Sequence, residues 1–333
     1  MPALFQKNIF STGKPEFARL TAKQAAPILE VMSCHYPALR VSRVSQVRAF
    51  GINSQNWKVD CGKDAYVLKR VSAKAAKTLA AQARWVEALS RNGFPAMRFY
   101  PVGGKTLVAR DKKYAYCLSR FGSGDYLGRS PARWTSLLRH ERKLADYCRK
   151  HSADLKKEMG SRDFFTADES RVVARLNKAK WRYVSDKYTE LGELYRNEHW
   201  TRCIFHVDAH PLNVLFRGSE LSLLTDFDSF RMTTLEISLG FSVFKCSREL
   251  LTGLRGRGLS KKVRSLKKSY ERVFGPGFER ILLCGQMDVL KRALYILNEI
   301  SRGGSSRWKF MLKTQISGLK EIDAMLSLLK GSR

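Results

Sequence analysis

One stretch constrains this chain more than any other: Cys203-Ile-Phe-His-Val-Asp-Ala-His-Pro-Leu-Asn-Val-Leu-Phe216, followed after the turn Arg217-Gly218-Ser219 by Leu223-Leu-Thr-Asp-Phe-Asp228. It sets Asp208 five residues before Asn213 and closes on the acid pair Asp226 and Asp228. Short apolar runs flank the polar residues and read as strands, so the polar residues fall on the loops between them. A carboxylate, an amide and a second carboxylate gathered in this way suit phosphoryl transfer, which asks for positioning more than for covalent chemistry. One carboxylate orients and deprotonates an attacking hydroxyl, while an amide oxygen and a second carboxylate hold Mg²⁺ against nucleotide phosphates. On that reading Asp208 is the base, and Asn213 and Asp226 are metal ligands. His206 and His210 complete the candidate catalytic set. His210 either assists the substrate hydroxyl or braces the loop, and Asp228 either joins the metal ligands or caps the following turn. A lone His-x-Asp carries little weight; His206, Asp208, Asn213, the apolar Val214-Leu215-Phe216 and Asp226-Phe227 together carry much more. The plain alternative is an Asp–Asn turn joining two core strands, with His206 a hydrogen-bonded core histidine.

A helix is expected over about residues 21 to 35. Residues 47 to 71 read as two antiparallel strands around the turn Gly62-Lys63-Asp64, supported by Trp57, Val59, Tyr66 and Val67. Residues 74 to 91 place Leu79, Ala80, Ala83 and Val86 at helical spacing and end at the C-cap candidate Asn92-Gly93. Short strands follow near 97 to 109 and at Tyr114 to Phe121. From about residue 131 the pattern turns helical, with Leu137, Leu144, Cys148 and Leu155 on one face, and it does so again at 280 to 300 and 308 to 329. The expectation is an α+β chain of two lobes, residues 1–121 with a small antiparallel sheet and 122–333 mainly helical. A chain of 333 residues is long enough for one bilobal domain or two packed lobes.

The pattern H-x-D-x-H-x-x-N with a later D-F-D resembles the aminoglycoside phosphotransferase and choline kinase superfamily of protein-kinase-like enzymes, over roughly residues 45 to 250. The resemblance implies a sheet-rich N-lobe over a helical C-lobe with ATP in the cleft and Mg²⁺ as cofactor. It assigns Lys69, in Tyr66-Val67-Leu68-Lys69-Arg70, to the α and β phosphates. It also places a phosphate-covering loop at Gly51-Ile52-Asn53-Ser54-Gln55-Asn56, where backbone amides and the Ser54 and Asn56 side chains approach phosphate, and an adenine hinge at 119 to 122. Family members carry an acid in the following helix as the lysine partner. Here that spacing falls on Gln82, and the nearest acid is Glu87; the two lie roughly 140° apart around a helix, so they cannot both face Lys69. Where the family places an Asp opening a helix after D-F-D, this chain offers Glu236. Val207 stands where many regulated protein kinases have an arginine that receives an activation-loop phosphate, so control by that route is not expected.

The charge bears on the acceptor. With 61 Lys and Arg against 30 Asp and Glu, the formal net charge is +31. Arg129, Arg133, Arg139, Arg142, Lys143, Arg149 and Lys150, then the basic run from Arg255 to Lys268, lie in the C-lobe region. A cationic acceptor fits such a surface poorly; a small-molecule or glycan acceptor of anionic character fits better, such as a phosphorylated or acidic sugar of the lipopolysaccharide core. Basic stretches gain about 1 kcal/mol per Lys or Arg near anionic lipid, which suggests peripheral contact with a membrane face. A solvated basic surface with no such role is the plain alternative. No basic n-region with an apolar core opens the chain and no apolar run approaches the ~20 residues of a membrane span, so a cytoplasmic location is expected. The seven cysteines are scattered without C-x-x-C spacing and are expected as reduced core or near-core residues. Two other classes remain: a Ser/Thr protein kinase of the same fold, and a non-enzymatic nucleic-acid-binding protein, which the charge admits but no motif supports.

Overall fold

The computed structural model describes residues 5, 17–47, 55–104, 106–152, 158–304 and 306–331. The N-terminal part is built on an antiparallel sheet: β1 (Phe17–Arg19), β2 (Arg43–Val47), β3 (Asn56–Cys61), β4 (Asp64–Ser72), β5 (Phe99–Tyr100), β6 (Ala109–Arg110) and β7 (Tyr114–Arg120). The strand order is β1-β2-β3-β4-β7-β5, with β6 also pairing β7. Two helices accompany it, α1 (Ala22–His35) and α2 (Ala76–Arg91). Thr21 opens α1 with a capping box to Gln24, which satisfies two end groups of the helix at once. Alternation along β4 divides the sheet into two faces. Tyr66 and Leu68 join Ile28 and Met32 of α1 and Tyr36 just beyond it in one cluster, while Lys69 points to the other side, in register with Asn56 on β3 and Cys117 on β7.

The expected hairpin turns at Gly62-Lys63, with Gly62 at φ 62°, a left-handed conformation that glycine adopts without steric cost. Its first strand begins at Asn56 rather than at residue 47; residues 43–47 form β2, and 48–54 lie outside the described residues. The helix expected over 74 to 91 is α2, and Gly93 beyond it has φ 76°.

The C-terminal part is mainly helical: α3 (Pro131–His151), α4 (Ala167–Ala174), α5 (Lys178–Arg196), α6 (Leu235–Leu251), α7 (Gly256–Phe274), α8 (Phe278–Ser301) and α9 (Ser306–Lys330). Between α5 and α6 lie β9 (Arg202–His206), the hairpin β10 (Val214–Arg217) and β11 (Glu220–Leu224), and β12 (Phe230–Thr234). β12 pairs antiparallel with β9 and parallel with the short β8 (Ser161–Arg162). The α+β kinase-like architecture expected from the sequence is the one found.

One crossing positions the site. Gly240 of α6 meets Gly285 of α8 so closely that a Cβ on Gly240 would lie 2.5 Å from the Ile281 carbonyl, and one on Gly285 2.4 Å from the Gly240 carbonyl. Glycine at both places lets the backbones touch, and α8 then carries Arg292, two turns beyond Gly285, against the loop after β9. Cys117, Cys148, Cys203, Cys246 and Cys284 are buried and Cys61 partly so, whereas Cys34 is exposed on α1. Among the described residues no helix is long and apolar enough to cross a membrane.

Candidate active site

The loop after β9 is tied to the segment after β11 on several sides. His206 ends β9 fully buried; its Nε2–H donates to the Thr225 carbonyl at 3.0 Å, and its Nδ1 accepts the Asp208 N–H at 3.3 Å. Val207 N–H donates to Ser229 O, and Thr225 N–H to Asn213 O. Burial lowers the pKa of His206, so the ring is neutral at pH 7 and acts as a brace with one donor and one acceptor. Asp226 itself sits at φ 56°, ψ 51°, a left-handed position that Asp tolerates better than most residues.

The two acids of D-F-D converge on Lys69. Its ammonium lies 3.2 Å from Asp226 Oδ1 and also pairs with Asp228 Oδ1. Burial would lower the lysine pKa, but the two carboxylates outweigh it and raise it. Burial and then the neighbouring Asp226 push Asp228 up to about 6. Burial also opposes ionisation of Asp226, yet Lys69 and the Ser229 hydroxyl, 2.6 Å from Oδ2, hold its pKa below the ordinary carboxylate range. Asp226 is thus the more acidic member of the pair.

The helix acid resolves differently from either expectation. Glu87 does not meet Lys69: its carboxylate accepts the Phe99 N–H at 3.3 Å and pairs with Arg91 at 3.2 Å. Gln82 is buried and donates from Nε2 to the carbonyls of Asp228 at 2.8 Å and Phe230 at 3.0 Å, so α2 reaches the D-F-D backbone through an amide. Gly51 and Ser54 fall outside the described residues. Asn56 stands directly across from Lys69, and its Oδ1 is buried with no hydrogen-bond partner among the described residues. In the hinge segment, Arg120 N–H donates to Arg98 O and Phe121 N–H to Ala65 O.

Around Asp208 the structure adds a residue that sequence reasoning missed. Arg292 of α8 lies 2.9 Å from Asp208 Oδ1 through Nη1, donates from Nη2 to Val207 O at 2.7 Å, and turns Nε to Asp288. Its guanidinium carbon is 3.9 Å from the Phe241 ring centroid. Burial opposes the charge, but Asp288 and Asp208 more than offset this and raise its pKa. Asp288, fully buried, is shared with Arg162, whose Nε and Nη2 reach it at 3.1 to 3.2 Å. The available signal was the i, i+4 pair Asp288–Arg292, charged within the apolar run of α8.

His210 and Asn213 share the same loop. His210 Nδ1 lies 3.2 Å from the Leu212 N–H, and its Nε2 lies 3.2 Å from Asn213 Nδ2 and 3.6 Å from Asp208 Oδ2. Burial, with Lys245 and Arg292 adding to it, lowers its pKa. Asn213 Nδ2 donates to Asp208 O at 2.9 Å, which leaves the amide oxygen with only a 3.5 Å contact to the Thr225 hydroxyl. Beside Val207, Asp228 and Ser229 opens a cavity of about 460 Å³ lined by the cations Arg162, Arg231 and Lys291 and the acids Asp163, Asp168 and Asp228. The loop and the acid pair therefore lie together, as their spacing suggested; Lys69, which the resemblance singled out, joins them, Arg292 is added, and Glu87 stands apart from Lys69.

The model of the phosphotransferase enzyme family (APH) matches residues 46–255, and the chain belongs to that family. It is a kinase-type phosphotransferase. No curated protein matches the sequence. Among solved structures it is similar to the spectinomycin phosphotransferase APH(9)-Ia in complex with ADP and spectinomycin, with a TM-score of 0.67 at 11% identity over 93% of this chain and 98% of that one. The amicoumacin kinase hAmiN, in complex with AMP-PNP, Ca²⁺ and Ami, has a TM-score of 0.66 at 10% identity over 91% and 96%. Choline kinase LicA from Streptococcus pneumoniae has 0.60 at 15% identity over 90% and 100%. At these identities the likeness speaks for the fold.

Proposed function

We propose that the chain transfers the γ-phosphoryl group of ATP, with Mg²⁺, to a hydroxyl of an anionic small-molecule or glycan acceptor, between lobes 1–121 and 122–333. The observation that carries this reading is the meeting of Lys69 with Asp226 and Asp228, 157 and 159 residues away, next to the Asp208 loop. Two carboxylates converging on one ammonium form a site that demands a cation, and Asn213 has an amide oxygen to spare. Asp226 and Asn213 thus fit a hard divalent ion that takes its remaining ligands from phosphate and water, with Asp228 as a further oxygen donor. When bound, Mg²⁺ neutralises charge on the transferred group.

The chain's own residues do the rest. Arg292 holds Asp208 Oδ1, so Oδ2 is free to accept the proton of the acceptor hydroxyl as its oxygen bonds to the γ-phosphorus and the bond to ADP breaks. His206 fixes the loop, and His210 braces it through the Leu212 N–H and the Asn213 amide. Lys69 would pair with the nucleotide phosphates, with Asn56 opposite it, and the resemblance assigns Gly51 and Ser54, outside the described residues, to the same phosphates. Glu87 lies outside this set, tied to Arg91 and the Phe99 backbone. The cavity beside Val207 and Asp228, lined by Arg162, Arg231 and Lys291 and equally by Asp163, Asp168 and Asp228, suits a polar acceptor such as a sugar. The net charge of +31 supports an anionic acceptor and a peripheral place on anionic membrane.

The test is transfer from labelled ATP with Mg²⁺ to panels of sugars, sugar phosphates, glycolipids and proteins, beside Asp208→Asn. Transfer to an anionic small molecule or glycan, lost by about 10²- to 10⁴-fold in the variant with nucleotide binding retained, is expected. Transfer to protein alone would replace the acceptor assignment, and full activity in Asp208→Asn would remove the base.

A further inference from the structure

On the α6–α8 side of Asp208 three cations stand close together, and their acids do not match them one for one. Arg292 takes Asp208 and Asp288, and Arg248 takes the buried Glu321. Lys245 has no ion pair and no hydrogen bond among the described residues; its contacts are the faces of Phe241 and Phe244, with Nζ 5.4 and 5.6 Å from the ring centroids. Phe241 and Lys245 are one helical turn apart on α6, and the Arg292 guanidinium lies on the same Phe241 ring. A ring face offers cations a partial attraction but no net negative charge, so two cations on one ring leave a positive excess.

The charged groups that act most on Lys245 are Arg248, Arg292, Glu321 and Asp208, and burial with the two arginines pushes its ammonium down to about 8. Lys69 is held by Asp226 and Asp228 over the Phe227 ring, whereas Lys245 shares the Phe241 ring with Arg292, so the two lysines belong to different clusters. Arg292 spends three of its five N–H groups, on Asp288, Asp208 and the Val207 carbonyl, and two remain. The place is open to solvent: Asp208 and Arg292 keep 29% and 23% of their side-chain surface, and Lys245 is only half-buried.

We propose that Lys245 and the two unspent N–H groups of Arg292 form a subsite for an oxyanion of the acceptor, a phosphate or a carboxylate, which sets the acceptor hydroxyl against Asp208. This rests on the phosphotransferase reading above and gives its acceptor a defined second anchor. Lys245 is a specificity-determining residue in this scheme, while Asp208 remains the base.

The experiment titrates inorganic phosphate, and separately acetate, into the full chain saturated with Mg·AMP-PNP, by calorimetry. Wild type, Lys245→Met, Lys245→Arg and the off-site Lys143→Met are compared at one ionic strength. Saturable binding of one or both anions is expected, the tighter one naming the acceptor's group. Lys245→Met should weaken it about tenfold, Lys245→Arg should restore most of it and Lys143→Met should leave it unchanged. Lys245→Met should keep its affinity for Mg·AMP-PNP and melt no lower than wild type, since it removes an unpaired cation. No saturable anion binding, or equal weakening in Lys143→Met, overturns the subsite. Weaker Mg·AMP-PNP binding in Lys245→Met would assign the lysine to the nucleotide instead and overturn it too. If wild type binds no Mg·AMP-PNP, the phosphotransferase reading fails, and the same titrations on the nucleotide-free chain still decide the subsite.

Discussion

The two sides of Asp208 are built on opposite principles. Toward the sheet, two carboxylates, Asp226 and Asp228, compete for one cation, Lys69. Toward the helices, Arg162 and Arg292 share the buried Asp288, and Lys245 is left over. The first side has spare negative charge and suits a metal with nucleotide phosphates; the second has spare positive charge and suits an anion. A phosphotransferase that carries a group from one anion to another needs both, and a base placed between them.

Substitutions can break this contrast one side at a time. Asp208→Asn, between the sides, has the largest expected effect, about 10²- to 10⁴-fold in kcat at unchanged Mg·AMP-PNP affinity, read by transfer assay and calorimetry. On the sheet side, Lys69→Met should lower kcat/KM for ATP by about 10²-fold, because a charge aimed at the phosphates is lost, and leave phosphate binding at Lys245 unaltered in the titration above. On the helix side, Arg292→Met should lower kcat by about 10-fold to 10²-fold through misplacement of Asp208, with KM for ATP unchanged. The same variant should melt lower, since Asp288 keeps only Arg162 as a partner. If Lys69→Met and Arg292→Met gave the same kinetic pattern, the two sides would not be distinct.

How much of this the sequence showed depends on distance along the chain. The Asp208, Asn213 and Asp226 set is legible because it lies on two adjacent loops, so spacing alone brings the residues together. Lys69 needed the resemblance, and its register opposite Asn56 follows from a hairpin that was itself readable. The helix acid was not readable, because one turn of helix decides whether residue 82 or 87 faces the strand; the structure gives Lys69 to D-F-D and puts Gln82 on the D-F-D backbone. Arg292 and Lys245 were hidden for another reason. They come from two helices whose closeness depends on Gly240 and Gly285, and nothing in either helix's own pattern announces that crossing.

A buried acid outside both sides provides a pH control that acts on stability rather than on transfer. Glu141 of α3 is buried; one oxygen accepts the Ser242 hydroxyl at 2.7 Å and the other has no hydrogen-bond partner among the described residues, and burial pushes its carboxyl up to about 7. With a folded pKa above the unfolded 4.5, the folded chain holds the proton longer, so this contribution to stability is full below about pH 4.5 and is lost as pH rises through 7. Wild type should therefore lose up to about 3 kcal/mol from this group between pH 4.5 and 8, and Glu141→Gln should lose none of it, as denaturant melts at several pH values will show.

Calorimetric titration of AMP-PNP with and without Mg²⁺ into wild type, Asp208→Asn and Asp226→Asn tests the central contrast most directly. Wild type and Asp208→Asn are expected to bind with the same Mg²⁺-dependent affinity, and Asp226→Asn to lose that dependence while the full chain still binds phosphate through Lys245. Failure of wild type to bind Mg·AMP-PNP, or an undiminished Mg²⁺ dependence in Asp226→Asn, would contradict the account.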